Sequence, residues 1–250
     1  MEVNLIDYTG INHPDPWYAA RLLVYTKNTR LTQGPETRAM VAELSGDEIT
    51  KELDYIANTI RSSWEFVSYT FEIIGVIRAC THQMVRTRHA SFAQQAQRVI
   101  DLSSGFESLL PETVKEKGQE KLWDLCMKMI GSTYKTMHEN GVPAQDCRGV
   151  LPTNVLTNII EKIDLRNFAD LVGKRENLRA QGEYADVARK MKELVLGVHP
   201  WTFPFLEPDR LATPTLDSLM KELLGSGSPI DSPRINAALK EIDKLKATWG

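Results

Sequence analysis

Cysteine is scarce: only Cys80, Cys126 and Cys147 occur, widely spaced and odd in number. That excludes a disulfide framework and any paired-cysteine metal site, and it fits a reducing, cytoplasmic location. The histidines His13, His82, His89, His138 and His199 are scattered, with no HExxH pattern, so no metal site is expected. Long apolar runs are also missing. Charge interrupts every such stretch, which argues against a transmembrane helix. The segment Met1 to Ile6 lacks the basic start and apolar run of a signal peptide. Neither GxGxxG nor a Walker A sequence is present, so neither phosphate loop can account for a nucleotide site. Nor is there an excess of one charge. A formal net charge of −3 gives no overall pull toward nucleic acid or membrane, and any cationic site must be local.

What is present suits a globular core, with 42% hydrophobic and 25% charged residues. Val3 to Tyr8 reads as a first strand ended by Thr9-Gly10, and Trp17 to Lys27 has helical spacing. Ser45-Gly46-Asp47-Glu48 precedes Ile49, Leu53, Ile56 and Ile60 as a helix N-terminus should. Trp64 to Ile77 is β-branched and aromatic, predicting a long strand, and Val99-Ile100 predicts the start or end of another. Cys80 to Arg86 reads as a short helix. One long helix is expected over Glu112 to Asn140, with Leu122, Leu125, Cys126, Met129, Ile130 and Tyr134 on one apolar face. A helical turn over Pro143 to Val150, a strand over Asn154 to Ile163 and helices over Asn167 to Val172 and Ala180 to Val198 complete the pass. Strands and helices do not alternate regularly, so the fold class is α+β rather than doubly wound. Residues 1–207 form the main domain. Residues 208–250, with a Gly-Ser-Gly-Ser run at 225–228, read as a C-terminal tail carrying helices.

One stretch stands out. Between Glu72 and Asp101 there is no acidic residue, although the chain has 33, yet Arg78, Arg86, Arg88 and Arg98 lie inside it. Gln94, Gln95 and Gln97 are interleaved with them. Guanidiniums offer bidentate donors to phosphates and carbonyl edges, while amides donate and accept, a mixture suited to a ligand with phosphates and a base. A solvated charged face is the plain alternative. A nucleic-acid groove would need aromatic platforms, and only Phe92 lies within the stretch.

The run from Thr81 to Arg98, THQMVRTRHASFAQQAQR, resembles the signature HQ-x-x-RHR-x-A-S-x-x-x-x-S-x-RY of the flavin-dependent thymidylate synthases. The resemblance continues in order through Asp146 to Asn154 (DCRGVLPTN), Asp164-Leu165-Arg166, and Arg175 with Arg179-Ala180-Gln181-Gly182-Glu183. It implies a mainly antiparallel sheet surrounded by helices, a homotetramer with sites between subunits, and no role for membrane or nucleic acid. By position, Arg86, Thr87, Arg88 and His89 would contact FAD, with Ser62, Ser63, Glu65, Gln94, Asp164, Arg166, Asp170 and Arg179 around the rest of it. Gln83, Arg86, Gln94, Gln95, Ala96, Gln97, Arg98, Arg148 and Arg175 would surround a deoxypyrimidine monophosphate, Arg175 as the catalytic arginine beside N3. The implied reaction methylates deoxyuridylate at C5, with NADPH and methylenetetrahydrofolate as co-substrates. The physical case agrees: a donor-only guanidinium beside O2 and N3 stabilises charge spreading over the ring.

The chain departs from the signature at Thr87, Ala96 and Val99, where the family has His, Ser and Tyr. Cytosine presents acceptors at both O2 and N3, so methylation or hydroxymethylation of deoxycytidylate stays open, as does a non-catalytic nucleotide-binding relative. Outside the blocks the bland readings prevail. Cys126 is expected in the core, Cys147 beside Arg148 has no base, His13 to Pro16 is a stiff loop, and His199 and the tryptophans are packing residues.

Overall fold

The computed structural model describes residues 1–31, 36–175 and 182–207. Among them four strands form one sheet in the order β1-β2-β4-β3, every neighbouring pair antiparallel. The strands are β1 (Glu2–Tyr8), β2 (Ser68–Ile77), β3 (Ala90–Gln94) and β4 (Leu156–Asp164). Alternation drives their burial. Tyr69, Phe71 and Ile73 of β2 and Thr157, Ile159, Glu161 and Ile163 of β4 all turn inward. The β2–β4 register shifts between Ile73 and Val76. Gly75 sits there with φ +69, a backbone region that a side chain would strain, and its N–H donates to Asn158 Oδ1 at 3.0 Å.

Helices cover the inward face. The first is α1 (Tyr18–Leu31), followed by α2 (Thr37–Glu43) and α3 (Gly46–Thr59). A reciprocal capping box starts α3: Glu48 N–H donates to Ser45 Oγ, and Ser45 N–H donates to the Glu48 carboxylate at 2.8 Å. α4 (Arg78–Met84) leaves β2 directly, and α5 (Glu112–Glu116), α6 (Glu120–Glu139) and α7 (Ala144–Cys147) occupy the excursion between β3 and β4. α8 (Leu165–Arg175) and α9 (Glu183–Val198) then return to the sheet. Phe168, Leu171 and Val172 of α8 and Val187, Ala188, Met191 and Val195 of α9 close the core over Phe71 and Ile73, and α10 (Phe203–Leu206) adds Phe205.

Several sequence expectations change. Residues 61–66 form a 3-10 turn rather than the start of a strand, held by the buried Trp64 indole N–H donating to Ile56 O at 3.2 Å. The strand expected at Val99-Ile100 lies instead at Ala90–Gln94. The Val99 and Ile100 amides both donate to Ala96 O, which closes a turn and leaves no extended backbone to pair. The helix expected over Glu112 to Asn140 breaks into α5 and α6 at Gly118, which has φ +63. α2 was not anticipated, and α8 extends beyond both ends of its expected range. The helix expected from Ala180 begins at Glu183, residues 176–181 and the tail from 208 lying outside the described residues.

The largest correction concerns the apolar face of α6. Only Tyr134 is buried, while Leu122, Leu125 and Met129 are 59%, 55% and 62% exposed, and Cys126 is exposed too. Periodicity reports that a face is apolar but not what covers it. Among the described residues, no helix is long and apolar enough to cross a membrane.

Candidate active site

A cleft of about 410 Å³ opens between the α4–β3 connection, the C-terminal half of α8 and the start of α9. The connection supplies Arg86, Thr87, Arg88 and His89, with Gln83 from α4. Its form is local: the amides of Val85, Arg86 and Thr87 donate to Thr81, Gln83 and Met84 carbonyls, winding α4 to an end and leaving the arginine side chains outside. Arg86 and Arg88 are exposed and have no hydrogen-bond or ion-pair partner among the described residues. Two adjacent guanidiniums without an acid suit a diphosphate.

The opposite wall is α8, contributing Asn167, Asp170, Leu171, Lys174 and Arg175. Asp164 ends β4 and caps this helix, accepting from Asn167 N–H at 2.9 Å and from its side-chain amide at 2.7 Å. At the other end, Arg175 lies across the Tyr184 ring, 4.3 Å from guanidinium carbon to centroid, and its Nη1 donates to Gln83 Oε1 at 3.4 Å. The Tyr184 hydroxyl is 3.4 Å from Thr87 Oγ1. Burial first and then the Glu161 carboxylate push this phenol up to about 12, so it enters the site as a neutral hydrogen-bonding group. Across α8, sharing Asp170 and Lys174, lies an outer hollow of about 460 Å³ beside Arg61, Trp64 and Phe205. Arg61 pairs there with Asp170 at 2.6 Å and covers the Trp64 ring. The two hollows meet at Asp170 and Lys174.

Most residues expected around the flavin therefore gather around α8, with particular corrections. Ser62 and Glu65 are exposed, and the Glu65 carboxylate is already paired with Arg166. Ser63 is wholly buried, its hydroxyl without a partner among the described residues, and closed to a bound molecule in this conformation. The Asp164 carboxylate is engaged as the cap, and Arg179 lies outside the described residues.

The nucleotide candidates divide. Gln83, Arg86 and Arg175 line the cleft, but Gln95 and Gln97 line a separate hollow of about 500 Å³ at the far end of β3, beside Ile74, Ile100, Phe106 and Thr157. Gln94 donates to Thr81 Oγ1 at 2.7 Å, Ala96 forms the turn described above, and Arg98 and Arg148 are exposed. Arg78 donates from Nη1 to Gln95 O at 3.0 Å, while its buried Nε has no partner among the described residues. Burial, and then the like charge of Arg148, lower the basicity of this guanidinium. Sequence reasoning missed Tyr184, Asn167, Lys174 and Arg61. Tyr184 was within reach, following Glu183 at the end of the last matched block.

Comparison with known proteins identifies the family. Residues 4–201 match the family described as thymidylate synthase complementing protein. The flavin-dependent thymidylate synthase of Geobacter sulfurreducens is 35% identical over 175 residues, 69% of this chain and 75% of that protein. The Sulfolobus acidocaldarius protein of the same name is 33% identical over 169 residues, 67% of this chain and 65% of its own length. That of Pyrococcus furiosus is 38% identical over 156 residues, 60% of this chain and 64% of its own. The chain thus spans three quarters of the bacterial relative and just under two thirds of these archaeal ones. A match this long, running from β1 through α9 and including every element that walls the cleft, means that the chain belongs to the thymidylate synthase complementing protein family, that of the flavin-dependent thymidylate synthases.

Proposed function

We propose that the protein is an FAD-dependent thymidylate synthase that methylates deoxyuridylate at C5, with methylenetetrahydrofolate as one-carbon donor and NADPH as reductant. The observation that carries this reading is the cleft itself: unpartnered Arg86 and Arg88 on one wall, and Arg175 laid over Tyr184 on the other. The residues fit an extended anionic cofactor. Arg86 and Arg88 would hold its diphosphate, with Asn167 and Lys174 along its length. Bound there, the flavin supplies the reducing electrons.

The chain's own task is to bind and polarise the pyrimidine. Arg175, held by the Tyr184 face and Gln83, would present its planar fork to O2 and N3, where negative charge grows as C5 attacks the one-carbon unit. No cysteine is offered as a nucleophile on C6. Cys80 is buried and its thiol pushed up to about 12, chiefly by burial, and Cys147 is buried as well. Arg98 and Arg148 would take the 5′-phosphate as charge-assisted donors. Because Gln95 and Gln97 face away from the cleft, the complete nucleotide site would be assembled between subunits. A homotetramer in the cytoplasm is the proposed form, and the uncovered α6 stripe supports an assembly.

The test is direct. The purified protein should be yellow or bind added FAD, bleach with NADPH, and convert deoxyuridylate to thymidylate when methylenetetrahydrofolate is added. Failure to bind flavin would overturn the proposal. Turnover of deoxycytidylate alone would replace its substrate.

A further inference from the structure

Three side-chain contacts in the cleft close into a circuit. Gln83 Oε1 of α4 accepts from Arg175 Nη1 at 3.4 Å. The Arg175 guanidinium lies 4.3 Å from the centroid of the Tyr184 ring, and the Tyr184 hydroxyl is 3.4 Å from Thr87 Oγ1. The last winding of α4 joins Gln83 back to Thr87, whose N–H donates to Met84 O at 2.9 Å. The circuit thus runs from α4 to the last residue of α8, on to the first turn of α9, and returns between Arg86 and Arg88.

Tyr184 is the fixed member. It is 3% exposed, whereas Arg175 and Thr87 are only partly covered. Its neighbour Glu183 accepts from Ile77 N–H at 3.0 Å, which pins the first turn of α9 to the end of β2. Further along the same helix, Val187, Ala188 and Met191 are packed in the core. Arg175, by contrast, is a long side chain at a helix end, with many rotamers open to it. Laid on an immobile ring and engaged at one nitrogen by Gln83, it is held in one plane. The Tyr184 hydroxyl meets a different part of the site, because Thr87 is flanked by both arginines of the opposite wall.

We propose that Tyr184 is a positioning residue with two tasks: its ring sets the plane of Arg175, and its hydroxyl, bonded to Thr87, holds the segment that carries Arg86 and Arg88. It is a strut between the wall assigned to the flavin and the guanidinium assigned to the pyrimidine. Those assignments rest on the function proposed above, but the hold on Arg175 does not. An aliphatic side chain of similar bulk offers neither a π-face to the cation nor an oxygen to Thr87. A phenyl ring keeps the first and loses the second. The two tasks therefore separate by substitution.

The experiment uses the full-length protein and the variants Tyr184→Leu, Tyr184→Phe and Thr87→Val. Phenylglyoxal modification of Arg175, measured by peptide mass spectrometry against exposed Arg38 of α2, requires no ligand. The Arg175/Arg38 ratio should rise about two- to fivefold in Tyr184→Leu and stay near the wild-type value in Tyr184→Phe. Tyr184→Phe and Thr87→Val should each weaken FAD binding about two- to tenfold, and the double variant no further, since both remove the same bond. In turnover, Tyr184→Leu should lower kcat by up to about a hundredfold, and Tyr184→Phe should recover most of that loss. An Arg175 ratio unchanged in Tyr184→Leu, or raised equally in Tyr184→Phe, would overturn the proposal. So would additive losses of flavin affinity in the double variant. Should Tyr184→Leu fail to fold, Tyr184→Met takes its place, and the flavin cycle, built on two conservative variants, decides independently of both. If the wild type binds no flavin while the Arg175 ratio still follows the ring, the functional reading falls and the hold on Arg175 stands.

Discussion

The cleft beside α8 and the hollow at the end of β3 both draw on the acid-free stretch, yet a single chain completes them to different degrees. The cleft has two walls, a capped helix, a stacked guanidinium and unpartnered arginines facing the space between. The other hollow has Gln95 and Gln97 on one side and Phe106 on the other. Its nearby arginines, Arg98 and Arg148, are exposed, and α6 carries an uncovered apolar stripe. The difference is one of completeness: the cleft is walled on two sides by one chain, whereas the hollow at the end of β3 is bordered by exposed arginines and an uncovered helix face.

Arg175→Ala gives the largest expected effect. Loss of a charge-stabilising donor that acts mainly in the transition state should lower kcat about 10²–10³-fold. Lys should rescue only in part, lacking the planar fork. Steady-state kinetics with deoxyuridylate checks this, and a rise in KM with kcat unchanged would assign Arg175 to simple binding.

The next prediction separates the two regions. Arg86→Ala and Arg88→Ala should each weaken FAD binding by about 1.5–3 kcal/mol, roughly tenfold to a hundredfold, as loss of a charge-assisted bond does. Arg98→Ala and Arg148→Ala should leave flavin titrations unchanged and weaken nucleotide binding instead. Equal flavin loss in all four would erase the distinction.

Glu161 sets an effect on stability. Its folded pKa, pushed up to about 8 from an ordinary 4.5, means that the native state holds a proton which the unfolded chain releases. Its contribution is thus fully present below about pH 4.5 and lost as pH rises through about 8. Glu161→Gln lacks this dependence and should be more stable than wild type on the alkaline side, by up to about 5 kcal/mol. Thermal melts across that range that keep a constant difference would show the carboxyl ionised throughout.

The smallest change in chain stability belongs to α6. Leu125→Ser and Met129→Ser remove exposed groups, so subunit stability should move by less than about 0.5 kcal/mol. If a second copy covers this stripe, sedimentation should nevertheless show smaller particles, with activity falling on dilution. Unchanged assembly would mean that something else completes the β3 hollow.

Much of this was legible in the sequence. The β-branched and aromatic run ending at Ile77 announced β2, and Ser45 with Glu48 announced α3. β3 was not legible, because Ala90-Ser91-Phe92-Ala93-Gln94 has few β-branched residues and is held as a strand by pairing with β4. Resemblance supplied Arg86, Arg88 and Arg175, but not the settings of their neighbours. Glu65 and Asp164 proved to be engaged in an ion pair and a cap, facts decided by residues distant in sequence or by the backbone turn. Glu161 was partly readable, since it shares the inward parity of Thr157, Ile159 and Ile163. Its neighbours Lys162 and Asp164 disguise it within what looks like an ordinary solvent-facing run. Tertiary burial, rather than local pattern, made it unusual.

The junction at Asp164-Leu165 has a mechanical consequence. Strand passes into helix with no intervening loop, so β4 and α8 act as a bent bar with Glu161 on one arm and Arg175 at the tip of the other. Such a joint has no slack. One residue inserted there would rotate the helix by about 100°. The sheet could still form, but Arg175 would swing off the Tyr184 face and leave a folded, pocketed subunit whose reactive tip points the wrong way.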